Sequence, residues 1–176
     1  MCLSKRLKEK DEEAYQYLLD QYGKVFVCMA NNFLHNKEES VDCVQEILVR
    51  IYMNIDKCPT DDDKLIPWMF KLAKNQIIDY NRKLNKKNEF CYNNNNYIFT
   101  MPDNTADNSK SELLDELRDY LGSEDYEILT YYIVAEMTYK QIGEIMNLPS
   151  YTARRRVKEI YDKAKSFAEK KKEGYE

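Results

Sequence analysis

Residues that interrupt regular structure are scarce in this sequence. Its 176 residues include only 4 Gly and 4 Pro, whereas folds built from strands and tight turns need many of both. The scarcity therefore predicts an all-α fold. The sequence also lacks a run of about eighteen apolar residues, so no transmembrane helix is predicted. Its first ten residues mix Lys and Glu and lack the apolar stretch of a signal peptide, so we expect a cytoplasmic protein without membrane insertion.

Patterns typical of metal sites and catalytic sites are missing as well. The sequence has one histidine, His35, and 5 cysteines, which form neither a CxxC pair nor a Cys/His set of the kind that binds zinc. We interpret the cysteines as reduced thiols and expect no cofactor and no metal. There is no Gly-rich phosphate loop and no nucleophile motif. The run from Asp61 to Asp63 is interpreted as a turn.

The net charge of the chain is −4. A free-standing DNA-binding protein is usually basic, because phosphate contacts supply most of its non-specific affinity. The charge balance therefore argues against strong DNA binding by the chain alone, although it permits local basic surfaces.

Hydrophobic periodicity divides the chain into three segments. Residues 8–87 repeat apolar positions at helical spacing. Residues 88–110 show no periodicity and include the asparagine run at 93–96, so they are predicted to form a linker. Residues 111–172 are periodic again. We therefore expect two small helical domains joined by an irregular linker.

Three residues are predicted to mark helix ends. Ser40 is suited to an N-cap, since its hydroxyl can accept a hydrogen bond from a backbone N–H in the first turn. Pro67 fits the first turn of the last helix of the N-terminal domain, where no amide hydrogen bond is needed. Gly122 is a predicted helix stop.

The C-terminal domain contains a helix-turn-helix pattern. Thr138 and Gln141 form a predicted capping box, and the short helix that follows ends near Asn147. The second helix begins with aromatic, hydroxyl and basic side chains, which in such motifs reach base edges and phosphates. A helical hairpin with a solvated basic face is the alternative interpretation. The predicted DNA-binding residues are Tyr151, Thr152, Arg154, Arg155, Arg156 and Lys158.

Two further surfaces lie in the N-terminal domain. Its last helix is basic and aromatic, and such side chains can hold a phosphate backbone and an unpaired base. A core tryptophan beside a solvated basic stripe is the alternative. The candidates on this helix are Trp68, Lys71, Lys74, Asn75 and Arg82. The preceding helix has a polar face formed by Asp42, Gln45 and Glu46, which is either ordinary surface or a docking face for a basic protein partner.

These segments resemble the conserved regions of extracytoplasmic-function (ECF) sigma factors of RNA polymerase. The stretch from Asp42 to Tyr52 is similar to region 2, as is Trp68–Asn75 with Asp79 and Arg82 following it. The stretch from Thr138 to Pro149, followed by Thr152 and Arg156, is similar to region 4. Two motifs in the family's order, separated by a linker, make the resemblance more specific than either motif alone.

The resemblance implies an alternative sigma factor, without catalytic chemistry of its own, that directs promoter-specific transcription initiation. Asp42, Gln45 and Glu46 would bind the clamp helices of the largest subunit of core RNA polymerase, and the polymerase flap is a second expected contact. The loop from Cys58 to Leu65 and the candidates on the next helix would bind the minus-ten element and support strand opening. The helix-turn-helix would bind the minus-thirty-five element, and an anti-sigma factor is an expected partner.

Three features depart from the family pattern. Gly143 stands where alanine is usual, and Tyr151 and Arg155 stand where small residues are common. The aspartates from Asp61 to Asp63 place three carboxylates in the predicted base-capture loop, where they would repel phosphate. A free-standing helix-turn-helix regulator and an enzyme acting on nucleic acid stay open as alternatives, although neither a dimerisation seam nor a catalytic motif is evident.

Overall fold

The computed structural model describes residues 2–92 and 108–173, with the side chains of residues 2–86 and 112–172. Within these ranges the chain forms eight α-helices and a short 3-10 helix, Ile55–Lys57, and no strand. The all-α prediction is confirmed. Across the same ranges, no helix combines the length and apolar character that a membrane span requires. The helices are α1 (Leu3–Lys8), α2 (Glu12–Leu34), α3 (Lys37–Asn54), α4 (Asp62–Tyr92), α5 (Asn108–Leu121), α6 (Ser123–Ile133), α7 (Tyr139–Met146) and α8 (Ser150–Glu173).

Helices α1 to α4, here called the N-terminal group, pack around one apolar core. Helices α2, α3 and α4 contact one another, and α1 lies against α2 and α4. Apolar residues three or four positions apart share a helix face, and one such face of each long helix is buried. Removing each large side chain from water contributes roughly 1.5–3 kcal/mol. Fully buried members are Leu7, Phe26, Met29, Ile47, Ile51, Met69, Phe70 and Ile77.

The predicted helix starts differ from those in the structure at two positions. The prediction that Ser40 is an N-cap is wrong, because α3 begins at Lys37 and Asn36 accepts the capping bond from the Glu39 N–H at 3.1 Å. Ser40 lies in the first turn, where its hydroxyl donates to the Asn36 carbonyl at 2.6 Å. The second difference is at Pro67, which lies inside α4 because this helix begins at Asp62.

Two other predicted helix ends are confirmed. Helix α5 ends at Leu121, and Gly122 follows with a φ of 82°, a positive-φ conformation that glycine adopts without steric strain. The capping box at the start of α7 is also present. The Thr138 hydroxyl accepts from the Gln141 N–H at 3.3 Å, and the Gln141 side chain accepts from the Thr138 N–H at 2.9 Å.

Helices α5 to α8, here called the C-terminal group, pack on one another and on the N-terminal group. Helix α8 contacts α5, α6 and α7, whereas α4 contacts α7 and α2 contacts α6. The Phe70 and Tyr131 rings meet edge to face with centroids 5.5 Å apart. The Asn32 amide donates to the carbonyl and hydroxyl of Ser123 at 3.1 Å. The two groups therefore share a contact with both apolar and polar parts.

The backbone of α4 continues to Tyr92, into the first residues of the predicted linker. Residues 93–107 of the predicted linker lie outside the described part of the chain, and residues 108–110 form the start of α5. The domain limits 8–87, 88–110 and 111–172 stay predictions.

Candidate nucleic-acid interface

The first turns of α8 form a basic, aromatic surface. The inner face of the helix is fixed by Ala153, Val157 and Ile160, whose exposure is at most 2%. This anchoring orients the opposite face outward, and Tyr151 is 74% exposed. The other exposed side chains on this face are Arg154, Arg155 and Lys158, and Thr152 is half-buried. Four of the six predicted DNA-binding residues of the motif therefore share one accessible surface.

The turn before α8 depends on Gly143. Helix α7 ends at Met146 and is capped by Asn147, whose φ is 55°, and the Leu148 N–H donates to the Gly143 carbonyl at 2.8 Å. A Cβ at Gly143 would lie 2.6 Å from the Leu148 carbonyl oxygen, a contact that a rigid backbone cannot relieve. The glycine is therefore required by the close approach of the turn and is more than a tolerated departure from alanine.

Arg156 is placed apart from the other predicted contacts of α8. Its guanidinium donates to Asp125 at 3.0 Å and to Glu124 at 3.1 Å, both at the start of α6. The hydrogen bond from Arg156 lowers the pKa of Glu124, and the hydrogen bond to Glu124 raises the pKa of Arg156, although burial opposes both shifts. In this structure Arg156 joins α8 to α6.

The second candidate surface lies on α4. Lys71, Asn75 and Arg82 are exposed, and Trp68 is half-buried against the core. Asp79 pairs with Arg82 at 3.6 Å on the same helix, an exposed pair of the kind that contributes little to stability. These four predicted residues therefore lie along accessible parts of one helix.

Lys74, predicted to belong to the same surface, is engaged in the contact between the two groups. Its ammonium lies 2.9 Å from Glu127 of α6, and the two side chains are 27% and 2% exposed. The other carboxylate oxygen of Glu127 accepts a hydrogen bond from the buried Tyr131 hydroxyl. Sequence reasoning missed Glu127 because a charged residue on an amphipathic helix gives no signal of its burial.

The acidic candidates lie on the outer face of α3. Asp42, Gln45 and Glu46 are exposed, and the face also carries apolar side chains. Glu46 is additionally held by α4, because the Gln76 amide donates to its carboxylate at 2.6 Å. Gln76 is 4% exposed and also accepts a hydrogen bond from Arg50. Exposed apolar neighbours of the acidic residues are Val41, Val49, Tyr52 and Met53. Mixed apolar and charged surfaces of this kind are typical of protein-docking sites.

The predicted base-capture loop carries its three aspartates in three different settings. Asp61 caps α4, accepting from the Asp63 N–H at 3.1 Å. Asp62 is turned inward against α1. Asp61 and Asp63 are both exposed, and the Asp63 side chain is 75% exposed and lies 4.0 Å from Lys140. The expected repulsion of phosphate by three carboxylates therefore applies to fewer groups than the sequence indicated.

The four cysteines with described side chains are free, and burial raises the pKa of the Cys43 thiol to about 12, which keeps it protonated and unreactive. Within the described residues, no cluster of three His, Cys, Asp or Glu side chains has the proximity that a metal ion requires.

Comparison with known proteins adds sequence relatives that match most of the chain. Residues 18–87 match the family model of sigma-70 region 2. The ECF RNA polymerase sigma factor SigM of Bacillus subtilis strain 168 is 27% identical over 164 residues, which cover 86% of this chain and 95% of that protein. The ECF RNA polymerase sigma factor SigW of the same strain is 26% identical over 175 residues, which cover 87% of this chain and 88% of that protein.

Two solved structures share the fold. CnrH, solved in complex with the cytosolic domain of CnrY, superposes with a TM-score of 0.62 at 15% identity and covers 95% of each chain. The sigma factor RpoE of Bartonella quintana, solved with the anti-sigma factor NepR, gives a TM-score of 0.64 at 15% identity, over 88% of this chain and 95% of that one.

Proposed function

This chain belongs to the ECF sigma factor family, and from that membership we propose that it binds core RNA polymerase and directs it to a specific set of promoters. A role in transcription initiation follows from the family. The roles of individual residues are inferred from the exposure and contacts of the surfaces on α3, α4 and α8.

The first turns of α8 are proposed to bind the minus-thirty-five element in the major groove. The observation that supports this assignment is the coincidence of an anchored inner face with exposed Tyr151, Arg154, Arg155 and Lys158 on the outer face. Arginine can bind guanine through two hydrogen bonds, whereas lysine holds phosphates. Arg156 would act differently, by fixing the angle between α8 and α6.

Helix α4 and the loop before it are proposed to bind the minus-ten element. Lys71, Asn75 and Arg82 are exposed along α4, where they can follow a phosphate backbone, and Trp68 can stack on an unpaired base. Strand opening follows when unpaired bases bind more tightly than the duplex, since an equilibrium shifts only by the difference between the two affinities.

The acidic face of α3 is proposed to bind core polymerase, at the clamp helices of its largest subunit, and the polymerase flap is proposed as a second contact. Asp42, Gln45 and Glu46 supply charge and hydrogen bonds, and the exposed apolar neighbours supply buried area. Polymerase would then hold both DNA-binding surfaces near the promoter. Tethering makes the second contact intramolecular, so two weak surfaces can act together. A chain with a net charge of −4 can therefore take part in promoter binding although it binds DNA weakly alone.

We also propose that the chain works in the cytoplasm without catalysis of its own and is controlled by an anti-sigma factor. The support comes from a fold neighbour, the sigma factor RpoE of Bartonella quintana, which was solved with the anti-sigma factor NepR. Copurification of the native protein under non-inducing conditions tests this, and recovery without any inhibitory partner would contradict it.

The test of the main proposal is transcription in vitro with sigma-free core polymerase and a library of genomic promoter fragments. Discrete transcripts that require the chain are expected. Lys158→Ala should reduce transcription several-fold, whereas Lys165→Ala removes the same charge farther along α8 and should leave it unchanged. Asp42→Lys should weaken core binding more than Glu38→Lys does. Glu38→Lys is the matched control, because it makes the same change of charge at the exposed start of α3. Tight, specific binding of promoter duplex by the chain without polymerase would instead establish a free-standing regulator.

A further inference from the structure

The N-terminal segment is hydrogen-bonded to the loop that precedes α4 and to Asp62, the first residue of that helix. The Asp62 carboxylate accepts from the Leu3 N–H at 2.9 Å, the Ser4 N–H at 3.0 Å and the Cys2 thiol at 2.8 Å. The Ser4 hydroxyl donates to the Thr60 carbonyl at 2.9 Å. Both oxygens of one carboxylate and a loop carbonyl are therefore occupied by residues about sixty positions away in sequence.

Helix α1 is itself firmly attached to the N-terminal group. Ser4 is 1% exposed and Leu7 is fully buried in the core. At the other end of α1, Arg6 pairs with Asp11 at 2.6 Å, and the Tyr15 hydroxyl donates to the Leu7 carbonyl at 3.2 Å. The helix is thus fixed to α2, and through Asp62 it fixes the loop to the same core.

The charge of Asp62 suits this role. Burial alone would raise the pKa of this carboxyl, but the hydrogen bonds from Cys2, Ser4 and Leu3 outweigh burial and hold the pKa below its ordinary value. The group is therefore ionised at neutral pH, and hydrogen bonds to an ionised acceptor are stronger than those between neutral groups. Its charge is directed at α1 and away from the outer face of the loop.

We infer that α1 is a positioning element for minus-ten recognition, with Asp62 and Ser4 holding the backbone from Cys58 to Asp62 in the conformation that accepts unpaired bases. The inference rests on the proposed function, which assigns base capture to this loop. Neither Asp62 nor Ser4 contacts DNA in this account. A loop that is ordered before binding loses less conformational entropy when DNA arrives, so its affinity is higher.

The test uses polymerase holoenzyme reconstituted with each variant and a promoter at which the wild-type protein initiates. The probe is a single-stranded oligonucleotide carrying the non-template minus-ten sequence of that promoter, and its dissociation constant is measured at fixed salt. Asp62→Asn, which leaves one acceptor oxygen where there were two, should weaken binding about ten-fold, and Ser4→Ala about three-fold. The matched control is Asp56→Asn, an exposed aspartate just before the loop, which should change binding by less than about two-fold.

The direction of the effect separates positioning from electrostatics. Removing a negative charge near DNA strengthens binding if only charge matters, so the expected weakening by Asp62→Asn is opposite to a pure charge effect. Core affinity and binding of a minus-thirty-five duplex should be unchanged in both variants. The inference would be overturned if both variants bound the oligonucleotide with wild-type affinity. It would also be overturned if core binding fell as much as oligonucleotide binding, because that result would indicate a purely structural role. Failure of the wild-type protein to initiate would instead remove the proposed function and this inference with it.

Discussion

Replacing Lys74 with methionine should destabilise the protein through the carboxylate that it leaves behind. Glu127 is 2% exposed, and Lys74 is its cationic partner at 2.9 Å. Removing one partner of a buried pair costs about 3–5 kcal/mol in known cases. Because Lys74 is itself 27% exposed, water screens part of the attraction, and we expect a loss of about 2–3 kcal/mol.

A double-mutant cycle isolates the pair from the loss of packing. Glu127→Gln removes the charge yet retains an acceptor for the Tyr131 hydroxyl, so its own cost should be about 1–2 kcal/mol. In Lys74→Met/Glu127→Gln no unpaired charge is buried, and the double variant should be more stable than the sum of the single losses indicates. The expected coupling is about 1–2 kcal/mol.

The assay is equilibrium urea unfolding followed by tryptophan fluorescence and far-UV circular dichroism. The sequence has one tryptophan, Trp68, and it lies on α4 six residues before Lys74, so its emission reports on the helix that carries the pair. Lys71→Met is the control, since Lys71 is exposed on the same helix and its loss should change stability by less than about 0.5 kcal/mol. A coupling below about 0.5 kcal/mol would refute the reasoning, because it would mean that the two groups are not paired in solution.

Three further predictions follow from other contacts. Gly143→Ala should lose about 1–3 kcal/mol in urea unfolding despite the higher helix propensity of alanine, because the Cβ would meet the Leu148 carbonyl oxygen at 2.6 Å; a stabilised variant would contradict this. The lowered pKa of Asp62 contributes stability that is present above the unfolded pKa of about 4 and is lost as pH falls through the folded value. In melting temperatures measured between about pH 2 and 6, Asp62→Asn should therefore show a shallower acid loss than the wild-type protein, and parallel curves would refute this assignment. Arg156→Ala should lower both the melting temperature and minus-thirty-five duplex binding, whereas Arg154→Ala should lower binding alone; equal stability losses would contradict the distinction.

The features that sequence reasoning predicted correctly are local ones. The capping box of Thr138 and Gln141 and the stop at Gly122 depend on residues within one helical turn, so the interactions that create them can be recognised from spacing. The apolar positions that repeat at helical spacing likewise predict buried helix faces, because the repeat is local in sequence. The N-cap prediction for Ser40 is wrong because Asn36 competes for the same capping role four residues earlier, and the propensities of the two residues for N-caps are nearly equal.

The features that sequence reasoning missed depend on residues far apart in the chain. No pattern within α6 distinguishes Glu127 from the exposed Glu124, and only the packing of α6 on α4 brings it to Lys74. Likewise, the three consecutive aspartates look equivalent in sequence, but α1 binds Asp62 alone. The contacts of these residues with DNA and polymerase stay predictions.

The attachment of Arg156 to α6 has a consequence for protein engineering. Because Glu124 and Asp125 clamp the guanidinium, the orientation of the exposed side chains of α8 is set partly by a helix that carries none of the proposed base contacts. A chimera that carries the α8 of another sigma factor would retain the α6 of this protein. The contact surfaces of α6 and α8 would then come from two different proteins and would not be complementary. Transfer of promoter preference should therefore require the whole unit from α6 through α8, exchanged with its salt bridges intact.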